Sequence, residues 1–300
     1  MKRRRFVEVL AAYAALPVTG GEQSQQLITR AIPSSGERLP VIGMGTWLTF
    51  DVGRSSSARE KLLPVLQAFF DRGGRLVDSS PMYGSSETVV GDLLPRVRPR
   101  PPLFAASKVW IPGKRLGPMQ MEDSRKLWGV ARFDLMQVHN LLDWEGHLET
   151  LREWKARGRI RYVGVTTSHG RRHEELERIM TREPLDFVQF TYNLADRSAE
   201  ERLLPLAREK KIAVILNRPL DGGNLFHRTR GQPLPSWALE FDCRNWAQYF
   251  LKFVVSHPAV TCAIPATSQP GHMMENMGAC TGRLPDPSMR ARMAAHLSRI

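Results

Sequence analysis

Three short segments carry side chains that can move protons. Val77-Asp78-Ser79-Ser80-Pro81-Met82-Tyr83-Gly84 places a carboxylate five residues ahead of a phenol. Ala106-Ser107-Lys108-Val109-Trp110 carries an ammonium, and Met136-Gln137-Val138-His139-Asn140 an imidazole. An isolated phenol, with an ordinary pKa of about 10, is a weak acid near neutrality. A neighbouring ammonium favours the phenolate and lowers that pKa, each unit corresponding to about 1.4 kcal/mol. Each residue alone also has an ordinary structural explanation, since a buried Asp–Lys pair or a single hydrogen-bonded His often serves only the fold. Chemistry therefore requires a scaffold that brings all four together.

The order of elements supplies one. Apolar runs with strand character occupy 39–47, 75–80, 103–109, 134–140, 160–167, 187–193, 212–219 and 260–267. They are nearly continuous, as in Val163-Gly164-Val165-Thr166-Thr167, which is how parallel strands covered on both faces read. Between them lie segments with helical spacing: 147–158 holds Leu148, Leu151 and Trp154, and 199–211 holds Leu203, Leu206 and Ala207. Eight alternations with short connections predict an α/β fold, a parallel eight-stranded (β/α)8 TIM barrel, with an extra C-terminal helix over 286–300. No Gly-x-Gly-x-x-Gly follows a strand, which removes the usual fingerprint of the open doubly wound alternative. In such a barrel the C-terminal ends of the strands share one mouth, and the three segments above end the second, third and fourth strands. The longest connection, about 220–235 with Gly222, Gly223, Gly231, Pro233 and Pro235, reads as a loop of the kind that forms lids.

Asp78 and Tyr83 at this spacing, then Ser107-Lys108-Val109, then Gln137-Val138-His139-Asn140, resemble the catalytic tetrad of the aldo-keto reductases. The likeness runs from Leu39-Pro-Val-Ile-Gly-Met-Gly-Thr-Trp47 to Ile264-Pro265 and Glu275-Asn276, almost the whole chain after its first residues. It implies NAD(P)H-dependent reduction of aldehydes or ketones to alcohols. Tyr83 would donate the proton, Lys108 would tune it, Asp78 would anchor Lys108, and His139 would orient the carbonyl oxygen.

The resemblance also implies a cofactor site. Gly45 and Thr46 belong to it, and Thr166 and Thr167 stand where the family commonly has Ser-Asn on the nicotinamide amide. Gln189 matches the family's glutamine for the same amide, and Asn217-Arg218-Pro219-Leu220 resembles the segment beside the pyrophosphate. Ile264, Ala266, Thr267, His272, Glu275 and Asn276 would surround the adenosine phosphate. Two departures matter. Asn217 replaces an aromatic that stacks on the nicotinamide in many members, and it cannot stack. Relatives that prefer NADPH often carry Lys at the position of Ala266 and Arg at that of His272, so two charge-assisted contacts to a 2′-phosphate are missing. NADP(H) or NAD(H) is expected, and no metal. Trp47, Phe50 and Trp110 fall where the family lines its substrate pocket, and Trp144 joins them from the loop after His139, which suits a small apolar or aromatic carbonyl substrate. The alternatives are a non-catalytic nicotinamide-nucleotide-binding barrel serving as a regulatory or accessory subunit and, for an exported chain, a periplasmic binding module.

The rest of the composition bounds these readings. Of the 300 residues, 42% are hydrophobic and 24% charged, and no linker divides them, so 29–300 is read as one barrel domain. The formal charge of +13 is spread over Arg96, Arg98, Arg100, Arg152, Arg157, Arg159, Arg161, Arg290 and Arg292 among others. A nucleic-acid binder concentrates such charge on one face with interleaved aromatics, so a solvated surface and no nucleic-acid partner are expected. Cys243, Cys262 and Cys280 are widely spaced and indicate neither a disulfide framework nor a zinc site. His169 and His173 have arginines between them and no third ligand, and are read as surface residues. Ser55–57 and Ser85–86 are read as helix caps. At the start, Met1-Lys-Arg-Arg-Arg-Phe6-Val7 is patterned like a twin-arginine export signal, although Glu8 interrupts it. The apolar stretch 9–17 is too short to span a bilayer, and Ala12-Tyr13-Ala14 offers a cleavage site. Residues 1–28 are therefore set apart as a leader, with a periplasmic location if it acts and a cytoplasmic one otherwise. No stable membrane insertion is expected, and a monomer or weak oligomer is.

Overall fold

A computed structural model describes residues 26–300, so the twin-arginine-like motif and its cleavage site lie outside the described residues. The chain enters through a hairpin in which β1 (Thr29–Ala31) and β2 (Arg38–Pro40) run antiparallel, with Thr29 opposite Pro40. The turn between them closes on Gly36 at φ +76°, a left-handed conformation that favours glycine. Eight parallel strands follow: β3 (Met44–Gly45), β4 (Leu76–Asp78), β5 (Phe104–Val109), β6 (Phe133–Val138), β7 (Ile160–Thr166), β8 (Phe187–Thr191), β9 (Ala213–Asn217) and β10 (Val260–Ala263). Each pairs with the next in chain order. The sheet closes on itself where Ile42 meets Ala263 and Gly45 meets Ala266. Gly43 sits in this seam, and a Cβ there would come within 2.9 Å of the Leu76 carbonyl oxygen.

Each expected apolar run coincides with one barrel strand, β6 starting one residue earlier at Phe133. The first run divides: Leu39 and Pro40 finish the hairpin, and Met44–Gly45 forms the barrel strand, with Ile42 bridging to Ala263. Pro40 has no N–H to donate, so it ends a ladder and does not continue one. The hairpin itself was not anticipated, because three-residue strands carry too little periodicity to register. Leu27 and Ile28, counted with the leader, pack against the core, and the Ile28 N–H donates to the Cys280 carbonyl at 2.7 Å.

Alternate residues of a strand face opposite sides, and here the two sides have different partners. Val77, Met136, Val138, Val163, Val165, Val188, Val214 and Leu216 pack outward into the shell of helices. Leu76, Phe104, Leu135, Tyr162, Phe187, Ile215 and Cys262 form a separate interior cluster, which Ile32 and Leu39 of the hairpin plug from below. Glu37 fastens that plug. It pairs with Arg75 at 3.0 Å and with Arg161, and accepts from the Tyr162 hydroxyl at 2.9 Å.

The remaining elements shape the rim. The connection over 220–235 is not an open loop: a turn at Asp221–Gly223 leads into a helix at Asn224–Arg228, pinned by buried Leu225. The C-terminal helix Pro287–Leu297 starts at Asp286, whose carboxylate accepts the Met289 N–H at 2.8 Å. Ser55 caps the helix Ser56–Glu60 through the Ala58 N–H at 3.2 Å. Ser85 does not cap. Its hydroxyl donates to Asp51 at 2.8 Å and accepts the Gly53 N–H at 2.8 Å, tying the loop after β3 to the one after β4. The three cysteines are buried and free, and burial pushes Cys243 up to about 11 and Cys280 to about 12. Among the described residues no helix is long and apolar enough to cross a membrane.

Candidate active site

Asp78 ends β4, Tyr83 sits in the turn beyond it, Lys108 is the penultimate residue of β5, and His139 follows β6 directly. The register sets Asp78 beside Ala106 and Lys108 beside Gln137, so the inward positions climb from the apolar interior into a polar layer. Lys108 Nζ donates to Asp78 Oδ2 at 2.5 Å and to the Ser79 carbonyl at 2.8 Å. Asp78 Oδ1 accepts from Gln137 at 3.2 Å and Gln189 at 3.1 Å. Lys108 is 0% exposed. An ammonium taken out of water needs this pairing. Burial works against its charge, but the Asp78 carboxylate and the Tyr83 phenol outweigh that and raise its pKa.

Lys108 Nζ lies 4.9 Å from the centroid of the Tyr83 ring. Burial pushes the Tyr83 phenol above its ordinary value while Lys108 pulls the other way. The lowering expected from the ammonium therefore has the right sign but is outweighed by desolvation, and Tyr83 is protonated at neutral pH. The His139 ring packs edge-on to Tyr83 with centroids 5.6 Å apart and stands 6.5 Å from Trp110. Burial, with the Lys108 charge nearby, lowers its pKa to about 2, so the imidazole is neutral. A protonated phenol and a neutral imidazole thus flank one space, where both can donate to a single oxygen.

That space is a cavity of about 580 Å³ at the C-terminal mouth of the barrel. Asp78, Tyr83 and His139 line it, and Lys108 lies behind them. Gly45, Thr46 and Trp47 line it from the first strand, Thr166 and Thr167 from the fifth, and Gln189 from the sixth. Asn217, Arg218, Pro219, Leu220, Ile264 and Ala266 complete the far wall. Trp110 stands beside His139 without lining the cavity. Two expected pocket aromatics are elsewhere. Phe50 is fully buried in the core, and Trp144 opens the helix Trp144–Ala156 and packs on the core. An aromatic suits a core as well as a pocket, so residue type alone could not separate the two.

Thr267, His272, Glu275 and Asn276 also lie outside the cavity. Thr267 Oγ1 accepts the Gln269 N–H at 3.1 Å, just before the helix Pro270–Met277, on which His272 and Glu275 are exposed and Asn276 is buried. The cavity gains Met82, Asn140, His169, Arg171, Arg172 and Phe226, none of them anticipated. All but Phe226 follow closely on a strand end, which was the available signal. The His169 ring meets Trp47 edge-on at 6.4 Å, and so joins the loops after the first and fifth strands.

The fifth-to-seventh strand ends fit a nicotinamide. Thr167 Oγ1 is buried in the cavity wall with no partner among the described residues, and such a group calls for a ligand's donor or acceptor; an amide supplies both. Asn217 is already engaged. Its Oδ1 accepts from Thr191 at 2.6 Å and its Nδ2 donates to the Thr167 carbonyl at 2.8 Å, so it braces three strand ends. Arg218 pairs loosely with Asp221 at 3.4 Å and keeps its charge at the cavity edge.

The family model described as Aldo/keto reductase family matches residues 41–296. Methylglyoxal reductase YeaE of Escherichia coli K12 is 28% identical over 255 residues, covering 82% of this chain and 88% of that protein. An NADH-specific methylglyoxal reductase of the same organism is 24% identical over 218 residues, covering 61% of this chain and 64% of that one. Among solved structures, an aldo-keto reductase from Klebsiella pneumoniae in complex with NADPH superposes with a TM-score of 0.75 at 24% identity, over 91% of this chain and 95% of that one. The matched span takes in every barrel strand and the whole mouth, and the chain belongs to the aldo/keto reductase family, NAD(P)-dependent oxidoreductases that reduce carbonyls.

Proposed function

We propose that the mouth reduces a small aldehyde or ketone to its alcohol with Tyr83 as the proton donor, and that it accepts NADH as well as NADPH. The observation that carries this reading is the buried Asp78–Lys108 pair beneath a protonated Tyr83 and a neutral His139. A bound reduced nicotinamide supplies hydride to the carbonyl carbon. Tyr83 gives its proton to the carbonyl oxygen, and Lys108 stabilises the phenolate that remains. Asp78, held by Gln137 and Gln189, keeps Lys108 in place. His139 orients the oxygen by a hydrogen bond. Thr166, Thr167 and Gln189, which line the cavity, would hold the nicotinamide amide, and Arg218 would offer its charge to a phosphate. Trp47 in the cavity wall and Trp110 beside His139 favour a compact apolar or conjugated carbonyl.

NADH use is supported by the two cations absent at Ala266 and His272, whose contacts a 2′-phosphate would otherwise gain. The names of the two Escherichia coli relatives make methylglyoxal the first substrate to try. Export through the leader is a separate proposal, tested by sequencing the N-terminus of protein taken from its native host. The reaction is tested by following NADH and NADPH oxidation with methylglyoxal and a series of aromatic aldehydes. Both cofactors should be consumed, with kcat/KM values within about tenfold of each other. Binding of either cofactor without any oxidation would sink the reductase reading and favour the accessory-subunit alternative.

A further inference from the structure

Ser80 lies two residues past the end of β4 and is fully buried. Its hydroxyl oxygen is 2.8 Å from His139 Nδ1 and accepts the Met82 N–H at 3.2 Å. A neutral imidazole has one donor and one acceptor nitrogen, and the group bonded to one nitrogen decides which is which. The Ser80 hydroxyl has a single proton, and among the described residues Nδ1 is the one acceptor within its reach. If Ser80 instead accepted a proton from Nδ1–H, its own proton would be left unpaired in a buried site, a cost that native structures avoid. Donation from Ser80 to Nδ1 satisfies both groups and places the ring proton on Nε2. That nitrogen has no hydrogen-bond partner among the described residues, and His139 lines the cavity.

We propose that Ser80 is a positioning residue that locks His139 in the Nε2–H tautomer, so that the imidazole presents a donor to the carbonyl oxygen. The proposal rests on the reading of His139 as the group that orients that oxygen. A ring free to place its proton on Nδ1 would present a lone pair to the oxygen and repel it. The Met82 N–H holds the serine oxygen from its other side, so the turn backbone between Asp78 and Tyr83 takes part in the same lock.

The test uses full-length protein with labelled histidine nitrogens, reading the tautomer of His139 by imidazole NMR and assigning its signal by loss in His139→Ala. The wild type should show Nε2 protonated and Nδ1 as acceptor from pH 6 to 8, the range in which an ordinary histidine titrates. Ser80→Ala should shift the signal towards mixed tautomers and lower kcat about tenfold, with cofactor Kd unchanged. Ser80→Thr, which keeps the hydroxyl, should restore the single tautomer. A wild-type spectrum with Nδ1 protonated would overturn the proposal even if Ser80→Ala fails to fold, and so would an unchanged tautomer in a folded Ser80→Ala. Undiminished turnover in His139→Ala would instead remove the orienting role on which the proposal rests, while the wild-type tautomer would stand as measured.

Discussion

At the N-terminal end of the barrel, the apolar and carboxylate side chains of the plug are engaged within the protein, although Arg30 Nε on β1 is buried without a partner among the described residues. Ile32 and Leu39 complete the apolar interior, and Glu37 is shared among Arg75, Arg161 and Tyr162. At the C-terminal end the same strands carry Asp78, Lys108, Gln137 and Gln189 in the layer above, and beyond them stand groups that line the cavity: the Thr167 hydroxyl, buried without a partner among the described residues, the His139 ring, and the Tyr83 phenol beside Lys108. Lys108 lies four positions after Phe104, and Asp78 two after Leu76. The charged groups at the floor pair with one another and hold the barrel closed, whereas the Thr167 hydroxyl in the cavity wall is left for a ligand.

The comparison can be broken most severely in the polar layer. Asp78→Asn leaves Lys108 buried without its counter-charge, and loss of one partner of a buried pair costs about 3–5 kcal/mol. Urea unfolding should show that loss, and turnover should fall with it because Tyr83 loses its tuned neighbour. Leu39→Ala removes comparable stability from the floor, about 2–5 kcal/mol by opening a cavity, yet kcat of the folded enzyme should stay within about twofold. A matching fall in kcat for both variants would mean that the two ends are not separable.

Glu37→Gln is the mildest. Burial works against the Glu37 carboxylate, but the Tyr162 hydrogen bond and the Arg161 charge hold its pKa below the usual range. Because the folded-state pKa is depressed, the stabilisation is present above the unfolded value of about 4.3 and is lost as pH falls through the folded one. Thermal unfolding should therefore separate wild type from Glu37→Gln by about 1–3 kcal/mol at pH 7, and the gap should close below about pH 4. A gap independent of pH would show that the glutamate contributes by packing alone.

How far the sequence could be read follows from what each feature depends on. The eight barrel strands were legible because strands buried on both faces are long apolar runs, and the order Asp78, Tyr83, Lys108, His139 was legible because strand ends in a barrel share one mouth. The hairpin was not, since β1 and β2 are three residues each and, with the turn between them, place only Ile32 and Leu39 in the interior cluster. The helix Asn224–Arg228 was hidden among glycines and prolines that read as loop. Phe50 and Trp144 went to the core because an aromatic side chain carries no mark of which apolar space it fills. Thr267, His272, Glu275 and Asn276 sit on or beside a helix that the cavity does not reach. For Tyr83 the partner Lys108 was legible, but the depth of burial that decides the net direction of its pKa is a property of the assembled barrel.

The central claim is that Tyr83 supplies the proton while the surrounding walls bind the cofactor. Tyr83→Phe, measured for cofactor binding by fluorescence and for turnover by nicotinamide oxidation, tests it most directly. The account predicts a cofactor Kd within about threefold of wild type and a kcat lower by about 10²–10⁴. Turnover that survives the loss of the hydroxyl would contradict it, and the proton would have to come from another group at the mouth.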